Sequence, residues 1–308
     1  MFSTEEIRPK TIVFIKMNRF SILFSLLLSI SINGFGQASN GRVNSLVAAE
    51  NYFSAFAKKE GAREAFLRVS GEETLIFRPD PIKVNDFYTK GTIDGPGQLS
   101  WEPVYAKISR SGDWGFTTGP YTYSAGPEAD PAYGQYLSVW LANKKGVWKL
   151  ALDLGISHGK PDHKPELNFT DPNTFKFYRP LSQSRLKQRE DMIITTDKLY
   201  SSTLIKDQSL AYDVFLTDYS RLLFPGYEPI IGKARINNFI GKNQLSIESV
   251  PQVANRALGS DLAYTYGNAY ITKDMVITKY NYVRIWESQE GYKWNVIIEI
   301  FTPAGKGN

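Results

Sequence analysis

A pattern of aromatic residues and glycines in the first half of this 308-residue chain returns in the second half at a nearly constant distance. Four of the matched pairs are Asp113 with Asp261, Tyr136 with Tyr282, Trp140 with Trp286, and Trp148 with Trp294. The members of each pair lie about 147 positions apart, a period far longer than the unit of a solenoid repeat. The sequence therefore predicts two copies of one whole domain.

The composition is typical of a globular protein rich in sheet. Hydrophobic residues make up 42% and charged residues 22% of the chain, which are ordinary values. The 18 Tyr, 18 Phe and 6 Trp favour strands, because aromatic side chains suit half-buried pleated surfaces. The absence of cysteine excludes disulfides, thiolate nucleophiles and thiolate metal ligands. A net charge of only +5 gives no electrostatic basis for binding nucleic acid.

Each copy begins with helical spacing and continues with strands. Apolar residues from Leu46 to Phe56 recur at i, i+3, i+7 and i+10, which predicts an amphipathic helix over 43–59. Shorter helices are predicted over 62–69 and 209–216. Strand-like runs separated by glycine turns follow in both copies. This order predicts an α+β fold in which helices cover one face of a sheet.

We place the first domain at 40–158 and the second at 189–304, joined by 159–188. The joining segment carries several prolines, which favour extended backbone. It is therefore a linker or a strap over one domain. Its phenylalanines and tyrosine favour the strap, because a free linker gains nothing from exposed aromatic side chains.

The N-terminus is typical of a secretory signal peptide. A short basic start at Met17 is followed by the apolar run Phe20 to Ile32 and then by small residues up to Gly36. The apolar run is too short to span a bilayer. We therefore expect cleavage near Gly36–Gln37, export to the periplasm or beyond, and no membrane association afterwards. Residues 1–16 are interpreted as an upstream extension, with translation starting at Met17.

A set of motifs in the first copy resembles a known domain family. The motifs are Leu99-x-Trp101-x-Pro103, Ser109-x-Ser-Gly-Asp113-x-Gly-Phe-Thr-x-Gly119, Gly134-x-Tyr136-x-x-x-Trp140 and Gly146-x-Trp148-Lys149. They resemble the SnoaL-like domains of unknown function in the nuclear transport factor 2-like superfamily. The resemblance extends over 43–156 and, less completely, over 190–303.

The resemblance implies two cone-shaped domains, each with N-terminal helices packed on a strongly curved antiparallel sheet around a pocket. Relatives often pair through their sheets, which implies an intramolecular pseudo-dimer here. The superfamily includes ketosteroid isomerases, polyketide cyclases and dehydratases beside non-catalytic scaffolds, so the fold does not select the function. The second copy departs from the pattern where Ser249 replaces Pro103 and where Arg284 replaces Ser138.

One acid occupies the same place in both copies, late in the last strand. Strict alternation places Trp148, Leu150 and Leu152 on one face of the first copy's strand and Asp153 on the other. Burial would raise the pKa of such a carboxyl, so Asp153 and Glu299 are the candidate catalytic acids or bases. The alternative is that both lie at the rim, solvated or paired with Lys149 or Arg284.

Several aromatic residues are candidates to line a pocket. A buried phenol requires a polar partner, and a tyrosine beside a carboxylate would supply an oxyanion donor. The alternative is that evenly spaced aromatic residues in strands form the core. The candidates are Trp101, Tyr105, Tyr121, Tyr136, Tyr264, Tyr266 and Tyr282.

The remaining polar candidates have simpler interpretations. His158 and His163 lie in a loop that fixes no ligand geometry, so we expect no metal site. Asp113 and Asp261 follow glycine turns, where aspartate is favoured for bonding its own backbone. The sequence contains neither a nucleophile elbow nor a phosphate-binding loop, and we expect no cofactor.

Three functions remain open from the sequence. The first is binding of a small, partly apolar molecule without turnover. The second is a cofactor-free isomerase, dehydratase or cyclase that uses Asp153 or Glu299 with a tyrosine. The third is a structural or interaction role for the paired domains. If one copy alone is active, we expect it to be the first, because its motifs are complete.

Overall fold

Both halves of the chain begin with a pair of consecutive helices. The computed structural model describes residues 38–89, 97–126, 128–179 and 182–305, so the expected signal peptide and cleavage position lie outside the described residues. No helix in the described ranges is long and apolar enough to cross a membrane. Gly36–Asn308 forms one unit by its internal contacts.

The elements of the first half follow the predicted order of helices and then strands. They are α1 (Val43–Glu60), α2 (Ala62–Val69), β1 (Ser70–Phe77), β2 (Pro81–Lys83), α3 (Val84–Thr89), β3 (Gln98–Trp101), β4 (Tyr105–Ile108), β5 (Trp114–Ser124), β6 (Ala132–Ala142) and β7 (Trp148–His158). Helix α1 buries Leu46, Ala49 and Phe53, which are residues of the predicted apolar stripe. A short strand, β8 (Asn168–Thr170), lies between the halves.

The second half has nearly the same succession of elements. They are α4 (Gln183–Lys206), α5 (Gln208–Phe215), β9 (Leu216–Leu223), β10 (Ile230–Ile231), α6 (Lys233–Lys242), β11 (Ser246–Arg256), β12 (Leu262–Lys273), β13 (Val276–Ser288) and β14 (Trp294–Pro303). A single long strand, β11, stands where the first half has β3 and β4. A short 3₁₀ turn, Glu290–Tyr292, precedes β14.

The protein is α+β, with two sheets that each carry helices. The first sheet has the order β2-β1-β7-β6-β5-β4-β8, with β3 also on β5, and the second has the order β10-β9-β14-β13-β12-β11. The sheets are mixed, which corrects the expectation of antiparallel sheets. In both halves the first strand runs parallel to the last, β1 beside β7 and β9 beside β14. Turn signals concern only consecutive strands, so the pattern of the sequence could not reveal this pairing.

The segment between the halves extends the first sheet. Its strand β8 pairs in parallel with β4. Asp171 then accepts a hydrogen bond from the backbone N–H of Val43 at 2.7 Å, which satisfies a free donor at the start of α1. Farther along, the guanidinium of Arg42 lies 4.3 Å from the ring centroid of Phe175. These contacts tie the segment to the first half, although Tyr178 is exposed.

Each sheet buries one face under its own helices and contributes the other face to a shared apolar cluster. Trp140 and Trp148 pack with α1 and α2 on the helix side of the first sheet. The shared cluster joins Phe116, Val139, Leu152 and Leu154 of the first half to Leu262, Val283, Ile285, Ile298 and Ile300 of the second. The two halves therefore share part of their core.

A glycine matched between the halves lets neighbouring strands approach closely. A Cβ on Gly119 would lie 1.9 Å from the carbonyl oxygen of Glu102, and one on Gly267 would lie 2.1 Å from that of Val250. Side-chain atoms cannot occupy such positions without moving the backbone. The recurrence of this glycine in the two sequences therefore has a steric cause.

A β-bulge in the last strand of each half reverses the alternation of side chains. In the first half Val139 pairs with Leu152 while the next residue, Trp140, pairs with Leu150, so Ala151 is an extra residue. The corresponding register shift in the second half leaves Ile297 extra.

The bulge decides where the candidate acids lie. Trp148 and Leu150 belong to the helix-side core, whereas Leu152 belongs to the shared cluster. The prediction from strict alternation was therefore wrong, because it assigned these three residues to one face. Beyond the bulge Asp153 returns to the helix side, opposite Ser138. In the second half Glu299 lies opposite Arg284.

Candidate functional site

The helix side of the first sheet contains a cavity of about 290 Å³. Helices α1 and α2 and strands β3, β5, β6 and β7 supply most of its wall. The lining includes Asp153, Arg78 and six aromatic residues, which are Phe53, Phe66, Trp101, Tyr121, Tyr123 and Tyr136. A concave aromatic site with a few polar groups is the usual form of a small-molecule site.

Asp153 is the acidic group of the cavity wall. The carboxylate oxygen Oδ2 accepts a hydrogen bond from the Ser138 hydroxyl at 2.8 Å. The other oxygen, Oδ1, lies 4.0 Å from Nη2 of Arg78, whose side chain is 40% exposed. Burial raises the pKa of Asp153 to about 6, and the nearby Arg78 and the Ser138 hydrogen bond only partly oppose this rise.

A second buried acid, Glu50, stands behind the aromatic wall. Its Oε1 accepts from the indole N–H of Trp101 at 2.5 Å. Its Oε2 accepts from the Thr117 hydroxyl at 2.5 Å and from the indole N–H of Trp140 at 2.8 Å. Burial raises the pKa of Glu50 to about 7, although the hydrogen bonds from these three donors lower it.

The sequence argument missed Glu50, although a signal was present. Glu50 lies four residues after Leu46 and three before Phe53, inside the apolar stripe of α1. A charged residue on the buried face of a helix requires buried partners. The second half carries Asp197 at the matching position of α4, which makes the signal a paired one.

Tyr136 lies in the cavity wall with an unsatisfied hydroxyl group. The side chain is 6% exposed, and its buried Oη, although close to the hydroxyl of Thr117, has no partner of normal hydrogen-bond geometry among the described residues. Burial and the nearby carboxylates of Glu50 and Asp153 raise the pKa of Tyr136 well above its usual value, and the adjacent Thr117 only partly lowers it. A polar atom buried without a partner leaves a place for a hydrogen bond from a ligand.

The equivalent region of the second half is occupied by an arginine side chain. Arg284 is fully buried and bonds Asp197 through Nη1, Glu299 through Nε at 2.7 Å, and Ser249 through Nη2 at 2.9 Å. Asp197 also accepts from the hydroxyl groups of Thr265 and Tyr282. Burial raises the pKa of Glu299, although Arg284 opposes this rise.

The structure separates the aromatic candidates into different environments. Trp101, Tyr121 and Tyr136 line the cavity beside Asp153. Tyr105 is buried beneath the guanidinium of Arg221, 4.2 Å from its ring centroid. Tyr282 bonds Asp197.

The two remaining tyrosines lie against the core shared by the two halves. Tyr264 stacks on Trp114 of the first half with a centroid distance of 6.3 Å. Tyr266 packs edge-on against Phe77 of the first half at 5.9 Å. These contacts place both rings away from the cavity.

The other polar candidates hold loops or join the halves. Asp261 accepts hydrogen bonds from the Ser109 hydroxyl and from the backbone N–H of Arg110 at 2.8 Å. Its carboxylate thus fixes a turn of the first half, whereas the turn chemistry predicted bonds to its own backbone. Nδ1 of His158 lies 2.7 Å from the carbonyl oxygen of Gly159. In the described ranges, no group of three or more side chains is arranged to hold a metal ion.

A larger cavity of about 1250 Å³ lies where the two halves and the connecting segment meet. Several of its charged side chains already pair with one another. Lys107 lies 2.6 Å from Glu287, and Arg110 lies 3.5 Å from Asp261. These pairs join the two halves.

Solved structures with a related architecture match parts of this chain. A protein from Cytophaga hutchinsonii described as nuclear transport factor 2-like is 17% identical, with a TM-score of 0.32, over 40% of this chain and 99% of its own. A superfamily protein from Salmonella enterica is 14% identical, with a TM-score of 0.33, over 41% and 96%. Nuclear transport factor 2 from Cryptosporidium parvum is 11% identical, with a TM-score of 0.32, over 42% and 99%.

Each of these structures is similar to about two fifths of this chain. No protein-family model matches the sequence, and no curated protein matches it. Proteins that share a fold can have unrelated functions, so these matches assign no function to the chain. Function has to be argued from the cavity and its charged groups.

Proposed function

We propose that the first half of this chain binds a small, partly apolar organic molecule in the cavity beside Asp153. The main support for this proposal is the aromatic cavity of about 290 Å³ with a buried carboxylate in its wall. In the second half a protein side chain, Arg284, occupies the matching region. On this proposal the protein is exported after signal cleavage, the first half binds, and the second half supports it without a ligand.

Native mass spectrometry of the protein from the exported fraction of its host tests this function. A discrete adduct is expected that is lost on denaturation. Tyr121→Ala removes part of the cavity wall, so it is expected to lower adduct occupancy about tenfold. Tyr270→Ala, a partly exposed tyrosine of the second half outside both cavities, is the matched control and is expected to retain the adduct. A bare mass in every sample would favour a structural role for the paired domains.

Proton transfer is a second candidate, supported by a specific observation. The carboxyl of Asp153, with a pKa of about 6, and the unpartnered hydroxyl of Tyr136 line the same cavity. A base of that pKa could accept a proton next to a carbonyl while a phenol stabilised the enolate oxygen. Glu299 has no such freedom, because Arg284 bonds it directly.

Deuterium exchange distinguishes turnover from binding. If Asp153 acts as a base, the protein is expected to accelerate incorporation of solvent deuterium next to the carbonyl of a cyclic ketone probe. Asp153→Asn is then expected to lower that rate about 100-fold or more while the probe still binds. A rate equal to that in buffer would exclude proton transfer on this probe and leave the binding proposal in place.

A further inference from the structure

The two halves differ at one position that lies at the centre of the site. Ser138 pairs across strands with Thr117 and Asp153. Arg284 pairs in the same way with Thr265 and Glu299. The register therefore makes Arg284 the structural counterpart of Ser138.

The guanidinium of Arg284 shows what this site accommodates in the second half. It bonds two carboxylates, Asp197 and Glu299. Two aromatic rings flank it, with their centroids 4.5 Å away at Tyr200 and 4.4 Å away at Tyr282. Carboxylates combined with aromatic faces are the usual surroundings of a buried organic cation.

The first half retains most of these groups, but its nearest cation, Arg78, stays 4.0 Å from Asp153 and makes no hydrogen bond to it. Asp153 corresponds to Glu299 by position in the repeat, Tyr136 corresponds to Tyr282, and Phe53 corresponds to Tyr200. All three residues of the first half line the cavity. Glu50 stands for Asp197 behind the wall. Ser138 is too short to reach across this region and its hydroxyl bonds Asp153, while Trp101 donates to Glu50. Asp153, the counterpart of the carboxylate that Arg284 covers in the second half, therefore lines a cavity in the first half.

Resting on the proposed function, we propose that the molecule bound beside Asp153 is an organic cation, a guanidinium or amine attached to an apolar group. Its charged end occupies the place that Arg284 fills in the second half, against Asp153 and the hydroxyl of Tyr136. Its apolar part lies among the aromatic residues of the wall. The ligand thus supplies a positive charge in direct contact with Asp153, which Arg78 at 4.0 Å does not.

Arg78 is the residue of the cavity wall whose positive charge would favour an anionic ligand. Its guanidinium lies at the cavity, but Nη2 stays 4.0 Å from Asp153 Oδ1, beyond hydrogen-bonding distance. Nη1 donates to the carbonyl oxygen of Phe77 at 2.9 Å. Arg78 is 40% exposed while Asp153 is 10% exposed at the side chain, so the more deeply buried charge of the cavity is negative.

Three isosteric probes test the charge of the ligand. Phenethylguanidinium, its neutral analogue phenethylurea and the anion 4-phenylbutanoate are titrated into the full-length protein by calorimetry at pH 7.5. The guanidinium is expected to bind about 10- to 100-fold more tightly than the urea, because it makes charge-assisted hydrogen bonds to a buried carboxylate. The anion is expected to bind more weakly than both.

Two variants assign the effect to named groups. Asp153→Asn keeps the shape of the site and is expected to abolish the preference for the guanidinium over the urea. Ser138→Arg introduces the side chain of the second half and is expected to prevent binding of both probes. Circular dichroism and thermal unfolding of each variant check that the fold is intact, and Asp153→Asn decides the matter if Ser138→Arg does not fold.

Each outcome bears on one proposal or on both. Equal affinity for guanidinium and urea, or tighter binding of the anion, overturns the cationic ligand while the binding function survives. Failure of all three probes to bind overturns the cationic ligand, and a bare native mass spectrum from the exported fraction then overturns the binding function as well. A guanidinium preference that persists in Asp153→Asn overturns the assignment to this cavity.

Discussion

Arg284→Met is expected to lower the free energy of unfolding by about 3–5 kcal/mol, because it leaves two buried carboxylates without a cation. Arg284 is fully buried and bonds both Asp197 and Glu299. Methionine fills most of the space but supplies no charge. The loss is to be measured by urea unfolding at pH 7.5.

A compensated variant shows whether charge is the cause. Adding Asp197→Asn and Glu299→Gln to Arg284→Met removes both buried charges, so much of the lost stability is expected to return. Stability of Arg284→Met within about 1 kcal/mol of the wild type would mean that the two acidic side chains do not depend on the guanidinium, and would contradict the prediction.

Glu50→Gln is expected to remove a pH dependence of stability of about 2–3 kcal/mol between pH 5 and pH 8. Glu50 has a pKa of about 7 in the folded protein and an ordinary value of 4.5. The folded state therefore holds a proton that the unfolded chain releases. The stability this contributes is complete below pH 4.5 and is lost as the pH rises through 7.

The measurement is a series of urea unfolding curves from pH 5 to pH 8. The free energy of unfolding of the wild type, minus that of the variant, is expected to fall with rising pH. The groups around Glu50 are the donors Trp101, Thr117 and Trp140 and the charge of Asp153. Asp153→Asn is the comparison variant. The pKa of Asp153 rises from 3.8 only to about 6, so the change in stability due to Asp153 occurs at lower pH than the change due to Glu50. Parallel curves for wild type and Glu50→Gln would show an ionised Glu50 throughout and overturn the prediction.

The helices and the class of the fold could be predicted from sequence because their signals are local. The helix predicted over 43–59 is observed as Val43–Glu60, and that over 62–69 as Ala62–Val69. Apolar spacing within one segment is enough for such a prediction. The parallel pairing of the first and last strands depends on contacts between distant segments, and no local signal records it.

The site itself could be predicted only in part. Asp153, Trp101, Tyr121 and Tyr136 were candidates and share one cavity. The face of Asp153 depends on a one-residue bulge at Ala151 that a strict two-residue period cannot represent. The candidates Tyr105, Tyr264 and Tyr266 carry the same residue type in similar strands, but they face the core that the two halves share.

The bulge has a consequence for how this protein can diverge. The pairing of the last strand with its neighbour decides which side of the sheet receives the acid, because Asp153 lies opposite Ser138 and Glu299 lies opposite Arg284. Deleting the extra residue Ala151 would restore regular alternation and leave Asp153 opposite Ser138, so the bulge lets the last strand carry one more residue without moving the acid to the other face. On the neighbouring strand one difference, Ser138 in the first half and Arg284 in the second, accompanies a cavity in one half and a buried side chain in the other. Strand pairing keeps the acid in the same place in both copies, while the residue opposite it is free to differ.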